Sequence, residues 1–432
     1  MSIRVKPLHY IKRDRRERQL MGYGVFLMLT AFFWNSPREI FAGLWVILTS
    51  PCNLLTDYMA LANVGAAFMN SGLVTIYTVW ILRLEHIKIS GPVLASVFTV
   101  SGFAFFGKNL FNSIPITIGI YAYAKVYDIP FDRVALSSVF SSSLAPLVSF
   151  IAFDLGLPPL IGIFFGYFAG FAVGFIFNPV ADMSLGIHKG YNLYNAGLAS
   201  GFIGMSAVAV MRMFDIRVET GLLINEENTV MLTVFLVVLA VAVFIVGIVT
   251  DGFYPGRYRL LLRHTGHLGG TWIAVYGYGT VLMNMSAMIL LSTFYVRVIG
   301  GGLSGPTLGA ILSVAGFSAA GVHPRNTYPI FIGVYLAGIL NIYSPHAAPA
   351  LLAVIFGTGL VPIAGTYGPF WGIFAGFFHM AMVMNIGYLH GGLNLYNNGF
   401  SAGLVAAILY PIIDMLRILP RTIRRIEAKE KR

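Results

Sequence analysis

Long apolar stretches alternate along this chain with short polar breaks. Runs such as Ile161 to Phe177 and Val230 to Ile248 are long enough, at about 20 residues, to cross ~30 Å of hydrocarbon as helices. The pattern predicts seven apolar elements in each half. They are 20–34, 58–82, 91–106, 114–126, 133–153, 158–178 and 191–211, then 228–250, 271–296, 304–320, 329–341, 347–364, 369–386 and 393–413. Residues 254–269 carry Arg257, Arg259, Arg263, His264 and His267, too many charges for lipid, and are expected at the membrane surface. The apolar Phe41 to Leu55 is their counterpart and is expected to lie in the interface or to re-enter. Elements 114–126 and 329–341 are short for spans, so each is read either as a span or as half of a re-entrant hairpin with the element before it.

The halves are copies. Ser90-Gly91-Pro92 recurs as Ser304-Gly305-Pro306, and at that same spacing 14 of the 32 positions from Ser90 to Tyr121 are identical. Met69-Asn70 matches Met283-Asn284. Farther on, His188-x-Gly190-x-Asn192-Leu193-Tyr194-Asn195-x-Gly197 returns as His390-x-Gly392-x-Asn394-Leu395-Tyr396-Asn397-x-Gly399. Apolar low complexity does not place His, Asn, Tyr and Gly twice in one order.

Composition agrees. The chain is 57% apolar and 10% charged, against roughly 25% charged in soluble domains. The net charge of +11 is concentrated at the ends. Arg4, Lys6, Lys12, Arg13, Arg15, Arg16 and Arg18 precede the first element, and Arg417, Arg421, Arg424, Arg425, Lys429, Lys431 and Arg432 follow the last. Clusters flanking apolar spans mark cytoplasmic ends, so no nucleic-acid partner is expected. Cys52 is the one cysteine, which excludes a disulfide framework and Cys-rich metal sites. Asn35-Ser36-Pro37-Arg38 follows the first element where a signal peptide would carry small residues, so an uncleaved span is expected.

Seven elements per half is an odd number, so the second copy should be inverted. The charges agree: with both tails and the Arg-rich 254–269 inside, the loop bearing Asp215, Glu219, Glu226 and Glu227 falls outside. The expected architecture is an all-α polytopic membrane protein with two inverted-topology repeats of about seven transmembrane or re-entrant elements each. Its parts are a basic cytoplasmic tail 1–19, repeat 1 over 20–212, an acidic external loop 213–227, repeat 2 over 228–413 and a basic cytoplasmic tail 414–432. It is expected in the plasma membrane.

Polar residues inside spans face the bundle interior or a water path, and inverted-repeat transporters put helix breaks at the solute site. Gly107 to Pro115 and Gly321 to Pro329 are such breaks, with Pro115 and Pro329 expected in the first turn of the following element. Lys108 and Arg325 bring positive charge, and Asn112 and Asn326 are solute ligands or caps. Asn192 with Asn195, and Asn394 with Asn397, are three apart and would share a helix face, with Tyr194 and Tyr396 packing elsewhere. Asn70 and Asn284 are mid-span amides for site lining or structural bonding. His188 and His390 are candidates for a proton relay, Asp154 and Asp182 for ion coupling. Gly162, Gly166, Gly170 and Gly174 form a small-residue packing face. Serines 137, 138 and 141–143 suit tight packing or a polar pore wall.

Gly190-Tyr191-Asn192 followed by Gly197-Leu198-Ala199 resembles a signature of urea transporters, themselves duplicated and inverted; Asn112-Ser113-Ile114-Pro115 is similar, not identical, to their Asn-Pro motif. Over most of its length the chain resembles uncharacterised bacterial membrane proteins carrying two copies of a domain of unknown function, a likeness that implies no activity. No hydrolase, nucleotide-binding or metal-ligand motif is present, so no catalysis, cofactor or metal is expected. The expected function is a transporter or channel for a small polar or anionic solute bound between the repeats near the bilayer midplane. The alternatives are a urea-type channel and a membrane-embedded enzyme, sensor or assembly protein. Expected partners are the lipid bilayer, a small-molecule solute and, as an open option, further copies of the chain.

Overall fold

The computed structural model describes residues 15–430 except 219–220, 268–271 and 341, with side chains to residue 418. The tail cations before residue 15 and the loop carboxylate Glu219 lie outside the described residues. The first half holds ten helices: α1 (Arg15–Ala31), α2 (Pro37–Thr49), α3 (Tyr58–Leu61), α4 (Val64–Leu84), α5 (Gly91–Phe103), α6 (Leu110–Val126), α7 (Phe131–Phe140), α8 (Ala145–Phe153), α9 (Pro159–His188) and α10 (Asn195–Met213). The second repeats them one for one. It holds α11 (Thr229–Asp251), α12 (Pro255–Leu261), α13 (Trp272–Tyr276), α14 (Tyr278–Val298), α15 (Gly305–Phe317), α16 (Pro324–Leu340), α17 (Ala348–Phe356), α18 (Val361–Tyr367), α19 (Pro369–Ile386) and α20 (Asn397–Glu430). Short 3₁₀ turns, Ser141–Leu144 and Gly357–Leu360, join α7 to α8 and α17 to α18.

Packing repeats as well. α1 lies on α4 as α11 lies on α14, and α6 lies on α9 as α16 lies on α19. Between the halves α5 packs on α15 and α10 on α20. Glycine makes the first of these contacts close. An added Cβ on Gly102 would sit 2.3 Å from the Gly309 carbonyl oxygen, and one on Gly91 would sit 2.2 Å from that of Ala319. The end of α5 therefore meets the start of α15, and its start meets the region after the end of α15: the two helices are antiparallel. α10 and α20 instead meet at their N-termini, where a Cβ on Gly197 would lie 2.6 Å from the Gly399 Cα.

Apolar side chains cover the outside as well as the core. Leu160, Phe164 and Phe168 of α9, Val230 and Val249 of α11, and Phe370 and Phe374 of α19 are exposed, whereas α5 and α15 are buried on all sides. A surface this apolar is solvated by lipid, not water. Nine helical segments among the described residues, counting α7–α8 and α17–α18 as one each, are long and apolar enough to cross a membrane.

Three expectations change in detail. α6 and α16 have 17 residues each, longer than the apolar runs inside them, because Asn109 and His323 start each helix earlier. Pro115 and Pro329 consequently fall inside these helices rather than in the first turn. Phe41 to Leu55 becomes two structures. α2, closed by a Ser36–Glu39 capping box, buries Ile40, Leu44 and Ile47 and exposes Phe41 and Trp45; the following turn buries Cys52, whose Sγ donates to the Gly107 carbonyl at 3.1 Å. The glycine face of α9 packs tightly, with Gly162 on Ala152, Gly166 on Val148 and Gly174 on Ile116.

The α5–α15 contact has a direct test. Gly102→Ala puts a methyl into the Gly309 backbone and should cost about 1–3 kcal/mol, lowering the unfolding temperature of the purified protein in detergent. Gly22→Ala meets nothing within 4 Å and should leave that temperature unchanged or slightly higher. Equal behaviour of the two variants would remove the close crossing.

Candidate functional site

The two copies of the His-x-Gly-x-Asn-Leu-Tyr-Asn motif meet at the centre. Each leaves a helix, turns, and enters another. Lys189 (φ 49°) and Gly190 (φ 83°) reverse the chain after α9, and Gly391 and Gly392 do so after residue 390. Asn192 and Asn394 therefore precede helices α10 and α20 instead of sharing a helix face with Asn195 and Asn397. The reason is local: the Asn192 Oδ1 accepts the Tyr194 N–H at 2.9 Å and the Asn394 Oδ1 that of Tyr396 at 2.9 Å, the turn that Asn makes two residues on. Their Nδ2 groups cross between halves, Asn192 to the Gly399 carbonyl at 3.2 Å and Asn394 to that of Gly197 at 3.5 Å.

His188 holds its turn through both ring nitrogens, whereas His390 bonds through Nε2 alone. His188 Nδ1 accepts from the Gly190 and Asn192 backbone N–H groups, so its Nε2 donates to the Asn195 Oδ1 at 2.9 Å. His390 pairs with Asn397 at 2.8 Å. The Asn195 and Asn397 amides donate back to the carbonyls of Ala181 and Val383.

Helix breaks from one half are closed by the motif of the other. The Leu395 N–H donates to the Ser143 carbonyl and the Leu193 N–H to that of Gly359, both at 2.9 Å. The Tyr194 hydroxyl meets the Thr358 hydroxyl at 2.5 Å. Tyr194 and Tyr396 stand 5.4 Å apart between ring centroids, edge-on to Phe317 and Phe103 respectively. These tyrosines, expected to pack elsewhere, are the middle of the molecule.

The breaks after α5 and α15 are closed locally. The Asn70 Nδ2 donates to the carbonyls of Ala104 and Lys108, and the Asn284 Nδ2 to those of Ser318 and Val322, all at 2.7–2.8 Å. Asn112 and Asn326 accept from the backbone of Asn109 and His323 and donate to the carbonyls of Gly107 and Gly321. Asn109 and His323 were missed in the sequence; their spacing of three before Asn112 and Asn326 was the signal, that of a reciprocal cap. Lys108 is buried and donates to the Ser142 hydroxyl. Arg325 is exposed. It points out of the break because its neighbours Val322, His323 and Asn326 fill the inside. Asp154 and Asp182 are exposed too. His264, on the Arg-rich segment, is held below the usual histidine range by burial.

Two recesses adjoin the two motif copies, and the first reaches the aromatic centre at Tyr194 and Phe317. One, of about 380 Å³, is lined by Phe140, Phe177, Tyr194, Asn195 and Phe317; the other, of about 390 Å³, by Leu352, Val383, Tyr388, Asn397 and Asn398. Asn195 and Asn397 take equivalent places in them. The first lies beside the turn at Lys189, whose carbonyl contacts His267 of the Arg-rich segment at 3.0 Å. The second includes Gly221 of the acidic loop.

Apolar outer helices, a duplicated helical plan and polar breaks sealed inside define a multi-pass membrane protein. The chain belongs to the family described as "Protein of unknown function (DUF1576)", matched over residues 36–213 and 253–415, which together make up most of it and fall one in each half. No curated protein and no solved structure matches the chain.

The amide rivets should prove structural when tested. Asn70→Ala orphans two buried carbonyls and should cost about 1–3 kcal/mol or more, read as a lower unfolding temperature in detergent. Asn284→Ala should behave alike. A variant as stable as the parent would free Asn70 for a role in solute binding.

Proposed function

We propose that the chain carries a small polar or anionic solute across the plasma membrane between two halves of inverted topology, with both termini cytoplasmic, and that it is a transporter or channel rather than an enzyme. The observation that carries this reading is the pair of recesses: equivalent asparagines line them, one beside the Arg-rich segment and one beside the acidic loop. Inverted-repeat transporters work by opening such halves alternately to the two sides around a central site. The antiparallel α5–α15 pair supports the inversion, since helices related by a two-fold axis in the membrane plane run oppositely. The 3₁₀ turns at Ser141–Leu144 and Gly357–Leu360 supply hinge points, because short 3₁₀ stretches inside helices often mark where they bend. A neutral, urea-like solute is a second reading, favoured by Asn195 and Asn397, the amides at the recess walls.

Two experiments test the proposal. In a Cys52→Ser background, Glu227→Cys and Arg263→Cys place single thiols on exposed positions. A membrane-impermeant maleimide should label them from opposite faces of oriented vesicles, and labelling from one face would overturn the inversion. In proteoliposomes, Asn195→Leu with Asn397→Leu should slow flux of urea, formate, nitrate or chloride by about tenfold or more, the loss of one to two hydrogen bonds. Wild-type protein that moves none of these probes would count against transport.

A further inference from the structure

The two halves differ in how their central hydroxyls are paired. At the break between α17 and α18, Thr358 donates to the Ile355 carbonyl and meets the Tyr194 hydroxyl. Ser313, on α15, donates to the Gly309 carbonyl at 2.8 Å. Val322 follows Gly321. At these positions every hydroxyl is paired and no charge is present. At the corresponding places in the first half stand Ser142, Thr99 and Lys108, and Tyr396 is the counterpart of Tyr194 in the repeated motif. Here the pairing fails. Ser142 gives its proton to the Val139 carbonyl and accepts from Lys108, and it makes no bond to a tyrosine hydroxyl. The buried Tyr396 and Thr99 hydroxyls face each other without a well-formed hydrogen bond, and neither has another partner. The Lys108 ammonium, 3% exposed, uses one of its three N–H groups on Ser142, and no carboxylate among the described residues lies within 4 Å of it.

These groups converge. Gly107 abuts the Leu395 side chain, and the Leu395 N–H holds the Ser143 carbonyl, which sets Lys108 and Ser142 beside the chain segment that carries Tyr396. Thr99 lies on α5 beside Phe103, whose ring is 4.8 Å from that of Tyr396. Spare donors surround a cation in a medium where an uncompensated charge costs several kcal/mol. Such a place attracts one negative charge and repels cations.

We propose that Lys108, Tyr396 and Thr99, with Ser142 orienting the ammonium, form a binding site for one small monovalent anion, present once per chain because the second half carries Val322 in place of the lysine. The proposal rests on the transport reading in taking this anion as the solute carried. It commits that reading to an anion over urea.

The test uses the full chain in detergent, with sodium chloride, nitrate, formate and acetate as probes and urea as the neutral control, followed by titration calorimetry. At least one anion should bind saturably to the wild type and urea should not. Lys108→Met should weaken that binding by about tenfold to a hundredfold, the size of one charge-assisted hydrogen bond. Lys108→Arg should retain most of it. Tyr396→Phe and Thr99→Val keep the charge and remove single donors; they should each weaken it by several-fold, and they carry the test if Lys108→Met does not fold. No saturable anion binding, or binding unchanged in Lys108→Met and Tyr396→Phe, overturns the site. Flux in proteoliposomes separates the two claims. Urea flux that persists in Lys108→Met, without anion binding, sinks the anion and leaves transport. Lysine-dependent binding without any flux leaves the site and sinks transport.

Discussion

Backbone groups freed by a helix break have no water to turn to inside a bilayer, and this constraint organises the molecule. Each half breaks its helices twice, after α5 or α15 and in the middle of α7–α8 or α17–α18. The first break is closed from within its own half. Asn70 or Asn284, reaching across from a neighbouring helix, takes two carbonyls, and a reciprocal Asn–Asn or His–Asn cap takes the amides of the next helix. The second break is closed from the other half, by the backbone N–H of Leu395 or Leu193.

That exchange makes the halves interdependent. Taken apart, each would leave the carbonyl of Ser143 or Gly359 bare in hydrocarbon, and the amide of Asn192 or Asn394 would lose its partner. Close glycine crossings, Gly102 on Gly309 and Gly197 on Gly399, let the backbones approach far enough for these bonds to form. Polar residues here act first as glue. A solute would have to use what the glue leaves over, and Lys108 with Tyr396 and Thr99 is the proposed place. Duplication explains the architecture.

Much of this was legible in the sequence. Length and spacing of apolar runs mark the membrane helices, because a helix in lipid must be apolar over a fixed length whatever it packs against. The repeated Asn, Gly, Pro and His positions mark the breaks, because those residues are what turns and caps require locally. The caps at Asn109 and His323 were also written there, in a spacing of three.

What only the tertiary structure decided is which donor meets which acceptor. Lys108 and Arg325 occupy near-equivalent breaks and read alike in sequence, yet one is buried on Ser142 and the other exposed, because the residues packed around each break differ. Asn192 and Asn195 are spaced as on a helix, but a left-handed turn before them separates their roles. Tyr194 and Tyr396 carry no mark setting them apart from other aromatics. They become central because segments some 200 residues apart in the chain are pressed together there, and no local pattern records a contact at that distance.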